Sequence, residues 1–194
     1  MTSSDLTLLP GDAKQRSGAR VGRSFDGDRT GGDANAGVRV GVACAEFNGG
    51  ITDRLLTGAL DALEEAGNDL SAAIIVWVPG AFELPVAAQH LAQSGAVDTV
   101  ICLGAVIRGD TGHYEFVAGE CASGLQRVQL DSGIPVVFGV LTTETVDQAL
   151  ARSENDASNK GREAAVTALS MVSVLGAVSS VSSGSRVGFS VGKR

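Results

Sequence analysis

Apolar side chains fall into two textures along this chain. Short, mainly apolar runs at 38–44, 72–78, 99–105 and 136–142, the second of them unbroken, are bounded by turns containing Gly or Pro. Such runs predict strands buried on both faces. Between them the apolar positions recur at helical spacing. Ile51, Leu55, Ala59, Leu63 and Ala66 form one stripe, stopped by Gly67. A second helix spans 82–94, with Pro85 in its first turn and Gly95 at its end. A third spans 114–132, where Tyr114, Val117, Cys121, Leu125 and Val128 share a face and Gly133 and Pro135 close it. After the fourth strand, Thr143 is placed to cap a short helix reaching about 152. A polar connection, 153–158, leads to a last helix from 159 to about 175. Strand and helix alternate through three units, and a final strand is followed by two helices. This order predicts an α/β domain with a four-stranded parallel sheet, helices on both faces and right-handed crossovers.

The segments outside 37–175 lack this patterning. Residues 1–36 are rich in Gly, Ser, Asp and Arg without periodicity, and 176–194 are mainly Ser, Gly and Val. Both are expected to be flexible tails, because they offer little apolar surface to offset the entropy of ordering. With 194 residues and 44% hydrophobic content, the rest suffices for one compact domain. A formal charge of −7 disfavours nucleic acid as a partner. No apolar run approaches the length of a membrane span, and the start lacks a signal-peptide pattern. Cys44, Cys102 and Cys121 are odd in number and widely spaced. They are expected to be reduced core thiols of a cytoplasmic protein, with neither a disulfide frame nor a metal site.

Ligands of such sheets bind beyond the carboxyl ends of the strands. Three distinctive loops fall there: 46–50, 79–83 and 108–113. The last reads Arg108-Gly109-Asp110-Thr111-Gly112-His113, a Gly-containing loop opening a helix. It supplies backbone N–H donors, the Thr111 hydroxyl and an imidazole that exchanges protons near neutral pH. His113 is therefore the candidate acid–base residue, against the alternative of an exposed loop histidine. His90, inside the second helix, is read as structural. Glu83 either complements a helix dipole or accepts hydrogen bonds from a polar ligand. Phe47 and Phe82 sit in ligand-end loops of a chain with only 4% aromatic residues, which suits stacking on a planar ligand or packing on a partner. Arg152 and Arg108 each satisfy a helix dipole or contact a phosphate. No glycine pattern matches a P-loop or a dinucleotide fingerprint.

Taken in order, Phe47-Asn48, the run Val78-Pro79-Gly80-Ala81-Phe82-Glu83-Leu84-Pro85, the run from Gly104 to His113, the run Phe138-Gly139-Val140-Leu141-Thr142-Thr143-Glu144, then Gln148-Ala149, Arg152 and Asn159-Lys160-Gly161 resemble lumazine synthase. The likeness covers about 38–174. It implies a three-layer, flavodoxin-like sandwich. It also implies condensation of 5-amino-6-(D-ribitylamino)uracil with 3,4-dihydroxy-2-butanone 4-phosphate to 6,7-dimethyl-8-ribityllumazine, phosphate and water, with no metal or organic cofactor. Carried over to this sequence, Phe47 would stack on the pyrimidine. Ala81, Phe82 and Glu83 would hold the ribityl chain and ring. Ala105, Val106 and Ile107 would present backbone groups to the pyrimidine edge. Asp110 and Thr111 would form the phosphate loop, with Arg152 on the same phosphate. Phe138 would come from a neighbouring subunit, and His113 would shuttle protons.

The same likeness implies homopentamers, with some family members building shells of sixty subunits. Two departures stand out. Many relatives carry a lysine and glycines in the connection that here reads Ser153-Glu154-Asn155-Asp156-Ala157-Ser158, and Glu46 stands where an arginine often precedes the phenylalanine. Acidic side chains at 154 and 156 would weaken phosphate affinity if they pointed inward. Rival readings are a riboflavin synthase on the same fold, separable by supplying lumazine alone, and a shell or ligand-binding protein without turnover.

Overall fold

The computed structural model describes residues 37–184; the expected tail 1–36 and the stretch 185–194 lie outside the described residues. Four strands, β1 (Val40–Ala45), β2 (Ile74–Val78), β3 (Thr99–Ile107) and β4 (Val136–Thr143), form one parallel sheet in the order β2-β1-β3-β4. Every residue of β1 is buried, and so is β3 as far as Val106. Their unbroken apolar sequences follow from having helices on both sides.

Helix α1 (Gly49–Glu65) joins β1 to β2, α2 (Leu84–Gln93) joins β2 to β3, and α3 (His113–Ser132) joins β3 to β4. Helix α4 (Val146–Ala151) and the long α5 (Lys160–Gly184) complete the chain. Side chains alternate across each strand, and two cores result. Val40, Val42, Cys44, Ile101 and Leu103 pack with α1 and α5, where Ile51, Leu55, Ala165 and Ala168 are fully buried. Ala43, Ala45, Val100 and Cys102 face α2 and α3, packing with Leu84, Ala88, Cys121 and Leu125. The three-layer parallel α/β sandwich is as expected.

The differences are local. The first strand starts at Val40 because the Val38 carbonyl is taken by the Asn68 side-chain amide at 2.7 Å. The second starts at Ile74, since 70–72 form a 3₁₀ turn in which Asp69 accepts from the Ser71 N–H at 2.9 Å. The expected helix from 82 splits into a 3₁₀ turn, Ala81–Glu83, and α2. Thr143 is not a cap: it stays in β4, paired with Ile107, and Thr145 caps α4 by accepting from the Gln148 N–H at 3.2 Å.

The expected flexible tail from Gly176 begins instead as helix, to Gly184. No proline follows Gly176, and one interior glycine costs only about 1 kcal/mol, too little to end the helix. Residues Lys160–Ser179 also match a membrane span in length and composition, with a mean hydropathy of 1.2. Ala and Ser dilute this stretch, so it does not stand out as an unbroken apolar run. Its buried Ala164, Ala165, Ala168 and Leu169 pack in the sheet core, so the first turns of the helix are part of the domain.

The two ends of the sheet are treated differently. At the amino end, Arg39 pairs with Asp98, Nη2 lying 2.8 Å from Oδ1, and its Nη1 donates to the Gly95 carbonyl. The carboxyl end is left to the loops. The strand order reverses between β1 and β3, and a crevice opens where it does.

Candidate active site

The crevice begins where β1 ends. Backbone bonds from Glu46 to the Val78 carbonyl (2.8 Å) and from Phe47 to the Pro79 carbonyl (3.0 Å) carry the β1–β2 pairing past both strands. Asn48 then turns the chain in the left-handed region, φ 56° and ψ 34°, which asparagine tolerates better than other side chains. Its carbonyl receives the first N–H groups of α1, and its side-chain amide donates to the Ala105 carbonyl at 2.8 Å. One residue thus starts α1 and ties the exit of β1 to β3. The ring of Phe47 stays 53% exposed beside it.

The second wall is the turn after β2. Phe82 projects outward, 56% exposed, while Ala81 is buried. Glu83 stands at the cap of α2 but makes no capping hydrogen bond. A Cβ added at Gly80 would come within 3.2 Å of Glu83 Oε2, so the carboxylate folds back over that glycine.

The third wall is β3. Its pairing with β1 ends at Cys44↔Leu103, whereas its pairing with β4 continues to Ile107↔Thr143. Ala105, Val106 and Ile107 therefore run past β1 along the crevice. After them the Arg108 N–H is fixed to the Thr143 carbonyl at 2.9 Å. Asp110, Thr111 and His113 are exposed. The Thr111 hydroxyl accepts from the His113 N–H at 3.4 Å, so it sits against the first turn of α3. The amino end of a 20-residue helix and a Gly-flanked loop together suit an anion.

Phe138 and Arg152 lie elsewhere. Phe138 is opposite Cys102 in the β3–β4 register, five residues before the end of β4, or about 16 Å from the rim at strand rise. It is 42% exposed on the free edge of β4. There it lines an open groove of about 520 Å³ with Gln126, Gln129, Arg152, Lys160 and Met171. Arg152 Nη1 donates to the Gln148 carbonyl at 3.0 Å, and the rest of its guanidinium is exposed. The site residues thus fall into two sets: the rim, and this edge groove. Lys160, paired with Glu163 in the same groove, is a cationic groove residue without a role in the sequence reading. Its membership depends on how α5 packs against β4, and only its place in the run Asn159-Lys160-Gly161 signals it.

The acidic connection after Arg152 turns away from the groove. Asp156 Oδ1 accepts from both the N–H (2.7 Å) and the hydroxyl (2.6 Å) of Ser158, which lowers the pKa of that carboxyl. Glu154 Oε1 lies 3.5 Å from Arg54 on α1. Neither carboxylate lines the groove. His90 has its Nδ1 against the Val86 carbonyl at 2.9 Å within its own helix, as a structural residue should. Burial pushes the Cys44, Cys102 and Cys121 thiols up, and all three are free.

Residues 37–176 match the family model described as 6,7-dimethyl-8-ribityllumazine synthase. Among curated relatives of that same name, the protein of Edwardsiella ictaluri is 55% identical over 142 residues, spanning 73% of this chain and 91% of its own length. That of Pectobacterium atrosepticum is 55% identical over 149 residues, 75% and 94% of the two chains. That of Yersinia pestis is 53% identical over 146 residues, again 75% and 94%.

Proposed function

The chain belongs to the 6,7-dimethyl-8-ribityllumazine synthase family, and on that premise we propose that its active site is assembled from the rim of one subunit and the β4-edge groove of the next. It is an enzyme, a transferase of riboflavin biosynthesis. It condenses 5-amino-6-(D-ribitylamino)uracil with 3,4-dihydroxy-2-butanone 4-phosphate to 6,7-dimethyl-8-ribityllumazine, phosphate and water.

In this reading the rim binds the pyrimidine. Phe47 stacks on the ring, Glu83 accepts from ribityl hydroxyls beside Ala81 and Phe82, and the backbone of Ala105, Val106 and Ile107 meets the polar ring edge. The phosphate of the second substrate lies on the loop at Asp110 and Thr111, held by N–H groups and the Thr111 hydroxyl. The amine attacks the ketone, the carbinolamine loses water to give an imine, elimination releases phosphate, and the ribityl-bearing nitrogen closes the ring on the remaining carbonyl with loss of a second water. His113 takes and returns protons in these steps. Holding amine and ketone together supplies most of the acceleration, because the pair condenses readily once oriented.

The observation that carries the shared site is the position of Phe138, set back along β4 from its own rim. Phe138, Arg152 and Lys160 share one groove, and Phe138 lies about 16 Å along β4 from its own rim. If Phe138 closes a neighbour's pocket, Arg152 and Lys160 travel with it and bind the neighbour's phosphate. A closed ring of subunits then completes every site. A homopentamer, with sixty-subunit shells as its higher assembly, meets that requirement. Exposed Val166, Val174 and Val178 on α5 add apolar surface for such a ring. Three buried, unpaired thiols agree with a cytoplasmic location.

The test is a turnover assay that follows lumazine absorbance above the spontaneous rate. Loss of one charge-assisted phosphate contact is worth about 1.5–3 kcal/mol, so Arg152→Ala is expected to raise KM for the butanone phosphate about 10- to 100-fold. The pyrimidine KM changes far less. An unchanged butanone-phosphate KM would remove Arg152 from the site, and monomers by light scattering would exclude the shared architecture.

A further inference from the structure

Arg108 heads the phosphate loop, and its charge suggests a phosphate ligand. The surroundings of its guanidinium indicate otherwise. Nε donates to Glu144 Oε2 at 2.6 Å, and Nη1 makes a short contact with Glu115 Oε1. The guanidinium carbon also lies 4.1 Å from the centre of the Tyr114 ring. Glu144 follows β4, while Tyr114 and Glu115 form the first turn of α3. Its own N–H is bonded to the Thr143 carbonyl. Arg108 is thus fixed at backbone and side chain to two elements, the exit of β4 and the first turn of α3.

Those elements bracket the loop. Residues 109–112 leave β3 at Arg108 and re-enter order at His113, and they have one weak internal tie, Thr111 to the His113 N–H at 3.4 Å. The span from Arg108 to Tyr114 is closed by the stacking contact, and from Arg108 to Glu115 by the ion pair. An exposed ion pair alone contributes little. Here one rigid guanidinium serves two carboxylates and a ring, a geometry that the flexible ammonium of lysine does not reproduce.

We propose that Arg108 is a positioning residue for this reaction: paired with Glu115 and Glu144 and stacked on Tyr114, it holds loop 109–112 and His113 in the geometry that receives the phosphate, without touching the phosphate itself. The inference rests on the rim assignment above. It goes beyond that assignment in giving Arg108, Glu115 and Glu144 a joint role.

The experiment compares Arg108→Ala, Arg108→Lys, the double variant Glu115→Ala/Glu144→Ala and, as a reference, Arg152→Ala. Each full-length protein is assayed for turnover, for inhibition by inorganic phosphate, and for amide hydrogen exchange in the absence of substrates. Misplacing reacting groups by about 1 Å costs up to roughly 100-fold. The expected result is a fall of about 10- to 100-fold in kcat/KM for Arg108→Ala and for the carboxylate double variant alike, with kcat contributing. Exchange at 109–113 speeds up in both and stays unchanged in the sheet. Arg108→Lys recovers activity only in part.

A phosphate ligand would behave in the opposite way. Removing Glu115 and Glu144 would free the guanidinium, tighten inhibition by inorganic phosphate and leave kcat intact. That outcome overturns the proposal, and so does unchanged turnover and exchange in Arg108→Ala. If either Arg108→Ala or the double variant fails to fold, the single Glu115→Ala variant carries the same comparison. If Arg152→Ala leaves phosphate inhibition untouched, the groove assignment fails, while exchange at 109–113 still decides the role of Arg108.

Discussion

The rim of the sheet and the groove beside β4 both collect exposed aromatic and charged side chains, but they are held in place by different means. At the rim the fixing contacts are polar and local to strand exits: Asn48 on the Ala105 carbonyl, and Arg108 on Glu115 and Glu144. At the groove the side chains are positioned by packing behind them. Lys160 precedes Gly161, and a Cβ on Gly161 would lie 1.8 Å from the Leu55 carbonyl oxygen. The start of α5 is therefore pressed onto the backbone of α1, and Asn159, buried beneath it, donates to the Ser153 and Glu154 carbonyls. On the proposed reading, the polar latch fixes a loop that would receive ligand and still lets it adjust, and the backbone-to-backbone contact fixes a surface that another subunit would have to match. This difference is what the proposed shared site requires.

The strongest attempt to break the comparison is complementation. Assemblies of a Phe47→Ala/His113→Ala chain alone and of an Arg152→Ala chain alone are both expected to be severely impaired, by about 100-fold or more in the first case if stacking and proton transfer are both lost. Refolding the two together in equal amounts places some intact rims against intact grooves. Activity is expected to rise well above the average of the separate preparations, toward a quarter of wild type for random neighbours in a ring. Activity equal to that average would mean each site is built within one chain.

Much of this was legible before the structure, for identifiable reasons. The runs of β1 and β3 are apolar throughout because both faces are covered, and that marks them without any knowledge of partners. The rim loops are short segments that lie at their own strand ends, so order along the chain marks their place. What escaped depends on contacts distant in sequence. Arg108 has two readings until Glu144, 36 residues on, is seen to accept its Nε–H. Lys160 joins Phe138 and Arg152 only through the packing of α5 on β4. The cap of α4 went to Thr145 rather than Thr143 because pairing with Ile107 keeps Thr143 in the strand. The acidic pair at 154 and 156 looked threatening to a phosphate until Ser158 and Arg54 were found to hold both carboxylates.

Gly161→Ala sharpens the contrast at the next level of effect. The added methyl must move α5 from α1, because the obstacle is backbone and not a flexible side chain. Overpacking of this kind costs about 1–3 kcal/mol and occasionally more, and the upper end is expected here, read as a lower denaturant midpoint. Binding of the pyrimidine substrate at the rim is expected to outlast the butanone-phosphate affinity, since Lys160 shifts with its neighbour. Loss of both affinities in parallel would mean that the two regions are one cooperative unit.

Acid titration separates the two regions with the smallest effect. Arg162 bonds Glu65 through two nitrogens, Nη2 to Oε1 at 2.8 Å, and so joins the ends of α1 and α5; its hydrogen bonds hold the Glu65 carboxyl below its ordinary value. Arg108 lowers the Glu115 carboxyl in the same way at the rim. A carboxyl depressed in the folded state binds protons more readily when unfolded, so its stabilising contribution is complete above the unfolded pKa of about 4.3. The contribution disappears as pH falls through the lower folded value. Both groups are at the surface, where solvent and salt screen them, so the change between pH 5 and 3 is expected to be small. Glu65→Gln should flatten part of the fall in the thermal midpoint over that range. Glu115→Gln should move the midpoint curve less than Glu65→Gln does and chiefly flatten the acid-induced rise in exchange at 109–113. If Glu115→Gln moved the midpoint as far as Glu65→Gln, the rim latch would be part of the folding core and the distinction between a local polar latch and a packed seam would fall.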